Sequence, residues 1–185
     1  MKLEAPTTFS IPGGVGLCNA LRRTLLSDIE TEAPTTVTVV RNVTCHTDEY
    51  LAHRIGQVPF RRVGNGSTMR LCATGPCSVT TDALVGPAFA PVHAHLPFVE
   101  LGDGHALEME VHLSTGKARE HARFSPCFAV SLREGDDGRM CLSLGSNDHR
   151  TPEELLLDAL THMDKRVERA LQGLAQDHSH VRSYI

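Results

Sequence analysis

The sequence predicts an α+β fold, with helices on an antiparallel or mixed sheet and a mainly β segment looped into the middle of the chain. Three observations carry that reading. A long amphipathic helix with its own start signal closes the chain from Thr151 onward. A shorter helical pattern stands near the beginning, between 17 and 30. Between them lie β-branched runs cut by Gly-rich turns, interrupted by one short helical stretch at 47–56. Strands gathered between helices, rather than alternating with them one by one, argue for α+β and against a doubly wound parallel sheet.

The elements follow in order. Residues 1–11, with Leu3, Phe9 and Ile11, supply a short strand that Gly13-Gly14-Val15-Gly16 ends. From Leu17, apolar residues recur every fourth position (Leu17, Leu21, Leu25, Ile29), with Ala20 and Leu26 widening the stripe and Arg22 and Arg23 off its centre. Pro34 cannot continue a helix. The β-branched run Thr35–Val40 then reads as a strand. Residues 47–56 form a short helix: Thr47 caps it, Asp48 and Glu49 suit its first turn, and Gly56 stops it. Turns at Gly64-Asn65-Gly66 and Gly102-Asp103-Gly104 divide the strands of 58–113. Within 105–113, Leu107, Met109, Val111 and Leu113 alternate with Ala106, Glu108, Glu110 and His112, so one face is buried. Phe128–Leu132 and Met140–Leu144 flank Gly135-Asp136-Asp137-Gly138 as a hairpin.

The closing helix is the clearest element. Thr151-Pro152-Glu153-Glu154 combines a Thr cap, Pro at the first helical position and Glu at the third, a capping box. Behind it Leu156, Leu160, Met163, Val167, Ala170 and Leu174 are spaced 4, 3, 4, 3, 4, the seam of a coiled-coil-like helix. Leu155, Leu157, Ala159 and Leu171 add a second apolar face. Burial of each large seam residue is worth about 1.5–3 kcal/mol at most. One small domain seldom needs both faces, so part of this helix is expected to meet another chain.

Composition removes several function classes. Of 185 residues, 18 are Lys or Arg and 22 are Asp or Glu, for a net charge of -4. Autonomous DNA binding needs a basic face that releases counterions, and sequence-specific DNA binding is not expected here. The six Cys form no C-x-x-C pair, and neither a signal sequence nor a run of roughly 20 apolar residues is present, so an intracellular location without a membrane role is expected. The Gly13–Gly16 loop before a helix admits a phosphate-binding reading, that of a small nucleotide-binding enzyme. It lacks G-K-[ST], however, and Asn19 stands where G-x-G-x-x-G needs its last Gly. Cys72 and Cys77 are weak metal candidates without a second close pair, and no metal or other cofactor is expected. The carboxylate pairs Asp48-Glu49 and Asp136-Asp137 sit at a helix start and a hairpin tip, so no catalytic residue is assigned.

Four collinear stretches resemble one family. Asn19-Ala20-Leu21-Arg22-Arg23-Thr24-Leu25-Leu26 is similar to N-x-L-R-R-x-L. Residues 48–59, DEYLAHRIGQVP, are similar to D-E-x-x-A-H-R-x-G-x-x-P. Residues 75–82, GPCSVTTD, resemble G-P-x-x-V-x-x-x-D. Residues 116–126, GKAREHARFSP, with Pro152-Glu153-Glu154-Leu155-Leu156, resemble G-x-x-K-E-H-A-K-W-x-P and a terminal P-E-x-x-L helix. Together they cover nearly the whole chain and are those of the D/alpha-type subunits of multisubunit DNA-dependent RNA polymerases: bacterial alpha, archaeal D and the third-largest subunit of eukaryotic RNA polymerase II.

That resemblance implies a non-catalytic scaffold of two interleaved parts: a dimerisation domain at 1–46 plus 140–185, and an insert domain at 47–139. It implies a heterodimer with a smaller alpha-like subunit, through Leu21, Leu25 and the seam Leu156, Leu160, Met163, Val167, Ala170 and Leu174. It further implies docking of the second-largest and largest polymerase subunits, with Asn19, Arg22, Arg23, His53 and Arg54 at that interface, alongside the small assembly subunits. A homodimer like bacterial alpha is the alternative scaffold. The chain stops at Ile185, so the C-terminal DNA-binding domain of bacterial alpha is not expected. Neither the four-Cys zinc loop nor the iron–sulfur insert of some relatives is visible, and Phe124 stands where relatives tend to have Trp. So compact a member suggests a streamlined polymerase such as that of a large DNA virus, which would place it in nucleus, cytoplasm or virion.

Overall fold

The computed structural model describes residues 5–181, with side chains of the last helix described as far as Leu174. Leu3 lies outside the described residues. The chain divides into two compact units.

The first unit comprises 1–29, 127–146 and 150–185. Strands β1 (Thr7–Ile11), β10 (Cys127–Glu134) and β11 (Met140–Ser146) make an antiparallel sheet in the order β1-β11-β10, with Phe9 opposite Leu142. The hairpin expected around Gly135–Gly138 is the β10–β11 pair, and Gly138 takes a φ of 73° at its tip. Helix α1 (Val15–Ser27) and helix α3 (Pro152–Val181) close a core of Leu21, Leu25, Ile29, Cys127, Leu142, Leu144, Leu155 and Ala159. The capping box of α3 forms as expected. The Thr151 amide donates to Glu154 Oε2 at 2.8 Å, and the Glu154 amide donates to Thr151 Oγ1 at 3.2 Å.

Leu17 departs from expectation, being 52% exposed, whereas Cys18 and Thr24 are buried. A spacing of four residues advances about 40° beyond a full turn at every step, so a stripe of fours winds off the face it started on. Cys18, Leu21, Leu25 and Asp28, spaced 3, 4, 3, follow the buried face instead.

The second unit comprises 30–126 and 147–149. Its main sheet is antiparallel, in the order β2 (Glu30–Val43), β9 (Ala106–Lys117), β4 (Thr68–Thr74), β6 (Leu84–Val85). Two ribbons accompany it: β3 (Phe60–Arg62) with β7 (Phe89–Pro91), and β5 (Cys77–Thr80) with β8 (Pro97–Leu101). Leu107, Met109, Val111 and Leu113 of β9 are buried, as the alternation requires, and pack with Leu51 and Ile55 of helix α2 (Asp48–Ile55). Thr47 caps α2 by accepting the Tyr50 amide at 3.3 Å. On the other face Arg70 of β4 pairs with Glu110 of β9, and this hydrogen bond, reinforced by the carboxylate's charge, pushes the guanidinium above its ordinary pKa.

Pro34 does not mark a helix end: α1 has already stopped at Ser27, and Pro34 lies inside β2. β2 is an edge strand, and its register against β9 slips between Pro34 and Thr36, where the missing amide costs no ladder bond. The chain accordingly passes between the units at Ile29/Glu30 and Pro126/Cys127. β2 pairs along its whole length with β9, and β10 pairs with β11, so each strand goes with its sheet.

Candidate subunit interface

The two ends of α3 have different surroundings. In its first half, Leu155 and Ala159 are fully buried, and Leu156 and Met163 pack partly against the same core. Further along, the helix is fastened by charge: Arg166 Nη1 stands 3.0 Å from Asp28 Oδ2 at the end of α1, with His162 Nε2 at 3.9 Å. Beyond Met163 no described side chain of α3 is buried.

The outward surface of α3 is strongly apolar. Leu157 is 63% exposed, Leu160 46%, Val167 57%, Leu171 60% and Leu174 59%. Leu156 and Met163 turn toward the unit's own core, and the exposed line runs through 157, 160, 164, 167, 171 and 174. Its spacing is 3, 4, 3, 4, 3, again one face of a coiled-coil-like helix. Leu157 and Leu171 belong to it although the sequence reading set them on a second face. Their signal was visible, but two seams one residue apart coexist here, and only burial chooses between them. Ala170 is exposed beside this line. Leu21 and Leu25, expected at the same interface, are 1% and 0% exposed and pack in the core of the first unit.

On α1, Asn19 Oδ1 accepts from Arg22 Nε at 3.1 Å and from Nη2 at 2.9 Å, which holds the half-buried guanidinium in one orientation. Arg23 is exposed. Val15 and Leu17 stand out from the first turn, 62% and 52% exposed. The Gly14 that precedes this helix makes no side-chain cap, and apolar neighbours of this kind suit a protein surface better than a phosphate.

In the second unit, His53 is exposed on α2, but Arg54 is engaged within the unit. Its Nη2 donates to the Pro97 carbonyl at 2.9 Å and its Nη1 to Tyr50 Oη at 3.2 Å, with Tyr50 stacked on His46. Beside them opens a cleft of about 350 Å³ lined by His53, Arg54, Gln57, Val58, Pro97 and Phe98. Cys72 lies on β4 opposite Glu108 and Cys77 on β5 opposite Leu101, in different sheets. Among the described residues no group of three or more His, Cys, Asp or Glu could hold a metal ion. No helix among them is long and apolar enough to cross a membrane.

The family model described as the RNA polymerase Rpb3/Rpb11 dimerisation domain matches residues 11–167. The DNA-directed RNA polymerase subunit Rpo3 of Methanocaldococcus jannaschii is 29% identical over 170 residues, 90% of this chain and 88% of that one. The subunits of the same name from Pyrobaculum neutrophilum and Pyrococcus horikoshii are 31% and 30% identical, over 61% and 69% of this chain. The matches span only 52% and 55% of those two proteins' own lengths. These relatives are archaeal, and the viral source suggested by compactness has no support among them. The first of them is itself matched over nearly its whole length, so compactness is no viral mark. A model matching most of the chain, with relatives collinear through both units, shows that this chain belongs to the RNA polymerase Rpb3/Rpb11 dimerisation family.

Proposed function

We propose that this chain is a non-catalytic assembly subunit of a DNA-dependent RNA polymerase, which pairs with a smaller alpha-like subunit and then docks the two large subunits. The observation that carries the reading is the uncovered apolar line on α3, in a chain of a dimerisation family. Five large side chains standing 46–63% exposed along one helix face make the kind of patch that marks a protein contact. In this reading the unit built from α1, α3 and the β1-β11-β10 sheet is the dimerisation part, and the unit around β2 and β9 is the insert. Asn19, Arg22 and Arg23 serve the large-subunit contact as a preset guanidinium and a free one, directional donors suited to an interface. His53 joins them from α2, and Arg54 supports it by tying α2 to the Pro97 carbonyl. Small polymerase assembly subunits complete the set. Such a subunit works inside the cell, wherever the template lies, in nucleus or cytoplasm.

The test is a tagged pull-down from the native source with the co-purifying chains identified by mass spectrometry. Two very large subunits and a smaller alpha-like chain in fixed proportion are expected. A stable monomer that brings down no polymerase subunit rejects the reading. Tight nucleotide binding by that monomer would return the Gly13–Gly16 loop to consideration.

A further inference from the structure

The exposed line on α3 has one polar interruption. Leu157, Leu160, Val167, Leu171 and Leu174 occupy five of its six positions, and Asp164 occupies the other, near the middle. Asp164 is exposed, and no hydrogen bond or ion pair to it exists among the described residues. Its neighbours three and four positions away on the helix are Leu160, Thr161, Val167 and Glu168. None is basic, and Glu168 adds a second negative charge where an opposite one would support the helix. The cations nearest along α3, Lys165, Arg166 and Arg169, lie about 100° or more around the helix from Asp164, and Arg166 is already held by Asp28. Any helix that covers this line therefore buries a carboxylate that the described residues of its own chain leave without a counter-ion.

We infer that Asp164 is the partner-selecting residue of this interface, and that the helix covering it belongs to a different chain, with an Arg or Lys facing Asp164 within an apolar seam. The inference rests on the assembly role proposed above. Burying an unpaired carboxylate is strongly unfavourable, whereas a cation from the partner neutralises it and fixes the register of the two helices. A second copy of this chain carries no Lys or Arg on the 157–174 line to supply that cation. In a symmetric antiparallel pairing centred on the 157–174 line, the two Asp164 carboxylates would lie within about one helical turn of each other. Like charges meeting in a closing interface disfavour the wrong partner, so one residue both admits the heterodimer and opposes the homodimer.

Two variants of the full chain test this, co-expressed with the polymerase subunits of the same source. Asp164→Arg should lower the affinity for the smaller alpha-like subunit by about tenfold or more, as close interfacial charge pairs do. Reversal of the facing basic residue to Glu in that partner should restore it. Asp164→Leu, which makes the line wholly apolar, should shift the isolated chain from monomer toward dimer in sedimentation experiments. Both variants should keep the wild-type Tm, since the side chain is exposed. Partner binding unaffected by Asp164→Arg would overturn the inference while leaving the assembly role intact. A tight wild-type homodimer through α3 would overturn it too, with the second copy as the occupant. Failure of the wild-type chain to bind any polymerase subunit would instead remove the assembly role itself.

Discussion

Gly116 leaves room for the ring of Phe124. A Cβ built there would sit 2.6–2.9 Å from three of its ring carbons, closer than real side chains approach. Gly116→Ala should therefore displace a buried ring, at a cost of about 1–3 kcal/mol read from the denaturant midpoint. Ala129 offers the opposite case. It has a φ of 50° where the β10 register slips between Phe128 and Ser131. A side chain in that left-handed region is strained, and Ala129→Gly should gain up to about 1 kcal/mol in thermal unfolding. Neither effect is legible in the sequence. A Gly in GKAREH and an Ala in CFAVS look unremarkable until the ring beside one and the backbone of the other are known.

At the scale of elements, helix starts were the most legible features because capping chemistry is local. The Thr151–Glu154 box formed as read, and Thr151→Ala should cost about 1 kcal/mol with no change in fold. The faces of helices were less legible. A four-residue repeat on α1 and two interleaved seams on α3 each offered more apolar positions than one face can bury. The structure spends Leu155, Leu156, Ala159 and Met163 on the core and leaves the 157–174 line uncovered. Val167→Glu should leave stability within about 0.5 kcal/mol of wild type, as surface changes do, yet reduce capture of the alpha-like subunit in the pull-down. Leu155→Ala, at a fully buried position of the same helix, should cost about 2–5 kcal/mol.

For the molecule as a whole, net charge and assembly are the relevant properties. With a charge of -4, the isolated chain should show no saturable binding to duplex DNA in fluorescence anisotropy at about 0.15 M salt. Saturable binding that weakens steeply with salt would point to a basic patch that the charge count conceals. The sequence predicts an interrupted domain with a mainly β insertion, and the chain passes between its two compact units at Ile29/Glu30 and Pro126/Cys127. Strand assignment to one sheet or another is a long-range matter. The β2 run reads the same whether it pairs with β9 or with β11, and only the pairing shows which unit it joins.

The sequence by itself determined the fold class, the order of helices and strands, the capping of α2 and α3, and the family, because turn residues, caps and collinear motifs act over a few neighbours. Tertiary structure alone decided which leucines of α3 belong to the core, that Leu21 and Leu25 are buried beside them, that Arg54 is tied to Pro97, and that Asp164 has no partner among the described residues in an exposed seam. The physical reason is that periodicity says which residues share a face, whereas burial depends on which neighbour arrives to cover it.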